Sequence, residues 1–176
     1  MANTTFSGPV ISKNGFISTG PGNIKTLNTS TALTVADHAG RIVINNSAGA
    51  VTFTLPALNA TANAEVAGPT DYNNLNNLGA SFEIFASITK TGNLIVQVAN
   101  ANDVMVGGAK FIDDTSDNMV GFETVAASDT ITLNGSTTGG VTYSKITCTA
   151  ISSTQWKVDV DTGCTGTPAT PFSAAV

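Results

Sequence analysis

Charged side chains are scarce in this sequence of 176 residues. Only 11% are Asp, Glu, Lys or Arg, where an ordinary soluble domain has about 25%. The seven basic residues are spread singly along the chain, and the net charge is −5. A surface that binds nucleic acid needs clustered Lys and Arg to neutralise phosphates. We therefore expect neither nucleic acid nor an anionic membrane surface among the direct partners.

Long apolar runs are also absent. No stretch approaches the ~20 apolar residues that cross a bilayer. The opening segment MANTTFSGPV has neither the basic region nor the apolar core of a secretory signal. We therefore expect synthesis in a cytoplasm and no membrane partner.

Cysteine is nearly missing. Cys148 and Cys164 are the only two, so the chain allows one disulfide at most. Two interpretations stay open. Either both thiols are reduced and partly buried, as cytosolic synthesis favours, or one bridge ties the last strand to the C-terminal tail after release from the cell.

The single histidine, His38, excludes a His-based metal site without outside ligands. Asp37 and a serine could formally complete a Ser-His-Asp triad with it, but no serine lies in a G-x-S-x-G elbow. We interpret His38 as a solvated turn residue.

The acidic residues offer two weak candidates. Asp113, Asp114 and Asp117 could collect a hard cation, but they lack EF-hand spacing. Glycoside hydrolysis needs two carboxylates that face each other across a cleft, and Glu83 looks like the polar-face residue of a strand. We expect no catalytic residue, no metal and no cofactor.

Thr, Ser and Asn dominate instead, with 58 residues, and they suit strands and turns. Alternating apolar residues between Gly/Asn turns predict an antiparallel meander over 31–56. The clearest hairpin is predicted over 81–99, and the final strand TQWKVDVD is predicted to turn Trp156, Val158 and Val160 inward.

About eight to ten short strands with almost no helix predict an all-β fold, an antiparallel β-sandwich or barrel, over 26–163. Residues 1–25 are predicted to form an extended arm, and 164–176 an extended tail anchored by Phe172. Residues 57–80 break the alternation. They predict a helical turn at 57–66 within a long surface loop, a candidate contact between subunits or with a partner.

Three phrases of the sequence resemble small structural proteins of tailed phages, especially marine and cyanobacterial ones. They are MANTTFSGPVISKNGF, LTVADHAGRIVINNSAGAVTFTLPA and SSTQWKVDVDTGCTGTPATPFSAA. The first is the most specific, while head decoration proteins, fibres and other appendages share the other two. Ile11 stands where a basic residue is common, and the two cysteines are not typical of the family.

The resemblance implies a non-enzymatic head decoration (cement) protein of the virion, on the outer surface of the capsid. Such proteins commonly sit as homotrimers and clamp neighbouring major capsid protein subunits against internal pressure. The N-terminal arm would then contact the capsid through anchors set in grooves of the partner. These anchors are Phe6, Pro9, Val10 and Phe16.

Two alternatives stay open. A tail, fibre or knob protein that attaches to a host surface would expose aromatic side chains on a distal loop, and Tyr72 is the candidate. A carbohydrate-active enzyme would depend on Glu83, Asp113 or Asp114.

Overall fold

The computed structural model describes residues 23–59 and 77–176. Within them the chain forms twelve strands and one four-residue helix. In chain order they are β1 (Ile24–Thr26), β2 (Thr31–Ala32), α1 (Val35–His38), β3 (Ile42–Asn45), β4 (Val51–Thr54), β5 (Ser81–Ala86), β6 (Leu94–Gln97), β7 (Val104–Asp113), β8 (Asn118–Glu123), β9 (Thr130–Leu133), β10 (Ser144–Ala150), β11 (Gln155–Cys164) and β12 (Phe172–Ser173).

The strands form two sheets, each with parallel and antiparallel neighbours. The seven-stranded sheet has the order β1-β3-β5-β10-β11-β7-β8, and the five-stranded sheet has the order β12-β9-β6-β4-β2. From β1 to β6 the chain alternates between the sheets, and the parallel pairs are β1 with β3, β2 with β4, β3 with β5 and β4 with β6. The prediction of a mostly β fold is confirmed, and the sheets are mixed rather than antiparallel.

The predicted meander over 31–56 and the predicted hairpin over 81–99 are wrong. β2 and β4 belong to one sheet and β3 to the other, while β5 and β6 are likewise in different sheets. Alternating apolar residues determine which face of a strand is buried, but they do not determine its neighbour. Both sheets end in free edges within the described residues, so they do not close into a barrel.

The core between the sheets follows the alternation closely. Phe53, Phe82 and Trp156 are fully buried, and the rings of Phe82 and Trp156 meet edge to face at 5.8 Å. Each such side chain contributes about 1.5–3 kcal/mol by burial. Val158 and Val160 point inward as predicted.

Strand β7 continues where the sequence predicts an end. Two consecutive glycines are typical of a strand end, but β7 passes through Gly107 and Gly108 to Asp113. Gly107 has φ +151, and a Cβ there would lie 1.9 Å from the carbonyl oxygen of Val158. The glycine is therefore required because β11 approaches closely.

Both ends of the predicted 57–80 loop are held together at its base. The amide of Asn59 donates to Oδ1 of Asn77 at 2.8 Å, and the amide of Asn77 donates to the Asn59 carbonyl at 3.0 Å. Most of the helical turn predicted at 57–66, and Tyr72, lie outside the described residues. No helix in the described ranges is long and apolar enough to cross a membrane.

The C-terminal segment packs on the five-stranded sheet. β12 pairs antiparallel with β9, and Phe172 is buried, as its predicted role as an anchor requires. At the other end of the chain, β1 begins at Ile24 and pairs in parallel with β3 at the edge of the seven-stranded sheet. The rest of the predicted arm, residues 1–22, lies outside the described part.

Candidate docking surface

His38 is not the solvated turn residue that the sequence predicts. It ends α1 and is buried, and its Nδ1 accepts the amide hydrogen of Thr34 at 3.0 Å. The Thr34 side chain caps the same helix by accepting from the amide of Asp37 at 3.2 Å. The ring nitrogen that a triad would orient is engaged in this local turn.

Asp113 also serves its own turn. Its carboxylate accepts from the hydroxyl of Ser116 at 2.5 Å and from the amide of Thr115 at 2.9 Å. The Ser116 hydrogen bond and then that of Thr115 lower the pKa of Asp113 below its usual range. In residues 23–59 and 77–176, no group of three or more His, Cys, Asp or Glu is placed to hold a metal ion.

Glu83 lies on the outer face of β5, as predicted. A shallow depression of about 280 Å³ beside it is lined by Asn23, Arg41 and Glu83, among others. Among the described residues Glu83 is the only carboxylate that lines it, whereas glycoside hydrolysis requires two. The described lining of this depression therefore lacks the second carboxylate of a glycosidase.

The structure has no disulfide between Cys148 and Cys164, so of the two interpretations it fits the one with two reduced thiols. Both are free and buried. Cys148 lies opposite Val158 on β11, and Cys164 is six residues further along that strand, about 20 Å away. A disulfide needs Cα atoms within about 7 Å. Burial, and then the charge of Asp159, raise the pKa of the Cys148 thiol to about 12.

The outer face of the seven-stranded sheet carries a depression of about 290 Å³. We call it the outer-face depression and define it by the lining residues Lys110, Ile112, Met119, Tyr143, Asp161 and Gly163. Gly163 on β11 is opposite Ile112 on β7, and Ile112 is opposite Met119 on β8. Gly163 has no side chain and therefore leaves a gap in this row. The gap forms the floor of the outer-face depression.

Three large side chains around this floor are exposed to solvent: Ile112 by 62%, Met119 by 72% and Tyr143 by 77%. Tyr143 has φ +68, a left-handed conformation that is rare for a bulky residue. Its amide donates to the Ala86 carbonyl at 2.6 Å, which holds the turn in place. Strained residues of this kind concentrate at functional sites.

A charged rim lies beside the apolar residues. Asp161 is 4.0 Å from Lys110 and 3.6 Å from Lys145, measured between carboxylate oxygens and ammonium nitrogens. These pairs are exposed and contribute little to stability. An apolar centre with Met and Tyr beside a polar rim is the usual composition of a protein-binding surface.

The sequence alone does not predict this surface. Tyr143 follows a Gly-rich turn and Met119 lies near the start of a short strand, so neither belongs to a recognisable motif. The signal for Tyr143 was a single aromatic residue in a polar turn, GGVTYSK. The predicted capsid-contacting residues Phe6, Pro9, Val10 and Phe16 lie outside the described residues.

No protein-family model matches this sequence, and neither a curated protein nor a solved structure matches it.

Proposed function

We propose that this protein is a structural component of a tailed-phage virion, a capsid decoration protein that binds the outer surface of the head. The outer-face depression is the observation that carries the proposal, because exposed apolar side chains beside a charged rim suit protein docking. The resemblance of the N-terminal phrase to small virion proteins supports the same class. The partner is the major capsid protein.

In this proposed function the protein acts by binding and not by catalysis. Its individual contacts are modest in size, so attachment to a shell depends on many copies acting together. An assembly of several copies, a homotrimer in the arrangement that the resemblance implies, gains avidity without any stronger single contact. The arm predicted over residues 1–25, with Phe6 and Phe16, adds a second attachment.

Copy number in purified virions tests the assignment directly. Quantitative mass spectrometry against the major capsid protein should give a ratio close to one or a fixed simple fraction of it. A ratio like that of tail proteins, or absence from the particle, would reject a decoration protein.

Head binding by variants tests the surface itself. Met119→Ser should weaken binding to heads that lack this protein by about tenfold, because an exposed apolar contact is lost. Val125→Ser is the matched control, since Val125 is 70% exposed and does not line the depression. Deletion of residues 1–16 should abolish binding while the core stays folded.

A tail, fibre or knob protein is the second candidate. The exposure of Tyr143 favours it, because an exposed aromatic side chain is typical of a surface that recognises a host. The test is whether the purified protein binds host cells and whether Tyr143→Ser loses that binding. Both results, together with a low copy number in the virion, would support this function over decoration.

A further inference from the structure

The two sheets have four edge strands in the described part of the chain, and one of them differs from the others. β1, β2 and β12 have three, two and two residues, whereas β8 has six. Its sequence, NMVGFE, contains no Lys and no Pro. Short length, Lys and Pro are the usual means by which an exposed edge avoids pairing with another chain. Among the described residues, β8 is therefore the edge best suited to pair with a further strand.

Gly121, near the middle of β8, is not required by the fold of a single copy. Its φ is not positive, and a Cβ there would meet only the carbonyl oxygen of Ala109, at 3.9 Å. Gly108 on the neighbouring strand is different, because a Cβ there would lie 3.0 Å from the Phe122 carbonyl. A glycine inside a strand weakens it unless another backbone approaches closely.

We propose that β8 pairs antiparallel with β8 of a second copy of this chain, about a two-fold axis that passes through Gly121. The seven-stranded sheets of the two copies then join into one continuous sheet.

The side chains of β8 select this register. Met119, Gly121 and Glu123 lie on the outer face, because they are paired with outward residues of β7 such as Lys110 and Ile112. Strand partners must point to the same face. With Gly121 opposite its own copy, Met119 lies opposite Glu123 of the second copy, and no two like charges meet.

The inner face gains an apolar contact in the same register. Val120 and Phe122 are half-buried and pack on the core, where the ring of Phe122 meets that of Phe111 edge to face at 5.2 Å. In the proposed pair, Val120 of each copy lies opposite Phe122 of the other. Aromatic and β-branched cross-strand pairs are favourable.

The backbone polar groups also fit. The amide of Thr124 donates to the Gly107 carbonyl on β7 at 3.1 Å, so alternation directs the amides of residues 119, 121 and 123 toward the free edge. In the proposed register these residues oppose one another and can exchange their hydrogen bonds. A register centred on Val120 brings fewer of them into opposition.

Pairing has a consequence for docking, which rests on the proposed function. A two-fold axis perpendicular to the sheet places the outer-face depressions of both copies on the same side. The pair then presents two docking surfaces to one partner surface, which raises avidity.

Site-directed cross-linking tests the register. Gly121→Cys should give a disulfide-linked dimer under mild oxidation, because facing residues have Cα atoms about 5.5 Å apart. Glu123→Cys is the matched control on the same strand and face. Its copies lie about 13 Å apart in the proposed register, so it should cross-link at least tenfold more slowly. Equal rates for the two variants, or a faster Glu123→Cys, would overturn the proposal.

Sedimentation of the reduced protein tests pairing without cysteine chemistry. Gly121→Lys places two ammonium groups opposite each other and should weaken the two-fold association at least tenfold. Val125→Lys adds the same charge outside β8 and should leave association unchanged. Association that is absent in the wild type, or equal in both variants, would reject the pairing. Virion copy number is read separately, so the proposed function can fail while this proposal stands.

Discussion

Two buried charges of opposite sign lie at opposite ends of the two-sheet body and are satisfied in different ways. Lys90, between β5 and β6, is 3% exposed, and its ammonium donates to the Asn45 side-chain oxygen at 2.8 Å and to the Ser47 carbonyl. Asp129, before β9, is 6% exposed and accepts from the amides of Ala175 at 2.8 Å and Val176 at 3.2 Å.

The two sites affect ionisation differently. Burial lowers the pKa of Lys90, because its described partners are neutral oxygens. Burial alone would raise the pKa of Asp129, but the amide of Ala175, the Thr130 hydroxyl and the amide of Val176 together bring it below its usual range. Burial therefore disfavours the charged form of an ammonium without a carboxylate partner more than that of a carboxylate held by amide hydrogens.

The largest effect is expected where the lysine loses its side-chain partner. Asn45→Leu removes the oxygen that Lys90 contacts and the amide group that donates to the Leu27 carbonyl at 2.7 Å. We expect a loss of about 3–5 kcal/mol in the free energy of unfolding, since a buried charge is left poorly compensated. Urea denaturation measures it.

A double-mutant cycle provides the control for that prediction. Lys90→Met removes the charge, so Asn45→Leu should cost much less in the Lys90→Met background than in the wild type. Additive effects would show that the ammonium does not depend on Asn45.

Asp129→Asn is expected to cost about 2–3 kcal/mol. The amide keeps a similar shape, but charge-assisted hydrogen bonds to the C-terminal segment are weakened. Hydrogen exchange should show faster opening of β12 than of β6, and denaturation gives the free energy. Asp159→Asn is the matched control, because the Asp159 side chain is 59% exposed, and its effect should stay near zero.

The sequence could predict the strands and their inward faces, but it could not predict these two sites. Trp156 and Val158 were correctly placed because period-two alternation records which face is buried. Lys90 lies in the segment KTGN, which has the composition of an exposed turn. Its burial depends on Asn45, which is 45 residues away in sequence. Local composition carries no information about such a partner.

The same limit applies to the outer-face depression. It brings together strands β7, β8 and β11 and the turn at Tyr143, while alternation describes one strand at a time. The parallel pairing of β7 with β11, which places Ile112 opposite Gly163, is a property of topology. The depression therefore becomes visible only when the strands are assembled.

The smallest effect is expected in the pH dependence of stability, where the two charges act in separate windows. The folded-state pKa of Asp129 lies below its ordinary value of 3.8, so its stabilisation is complete above that value. It is lost as the pH falls through the folded-state pKa. The folded-state pKa of Lys90 lies below its ordinary 10.5, so the unfolded chain binds the extra proton between these two values. Stability should therefore rise with pH in that window.

Asp129 and Lys90 each change the free energy of unfolding by at most about 1.4 kcal/mol per pH unit. Thermal unfolding of the wild type, Asp129→Asn and Lys90→Met across pH 2–11 measures both. Asp129→Asn should flatten only the acid limb, because the neutral amide does not titrate, and Lys90→Met should flatten only the alkaline rise. If either substitution changed the opposite limb instead, the two ends would be coupled through the core, and the contrast between a lysine held by neutral oxygens and an aspartate held by amides would fail.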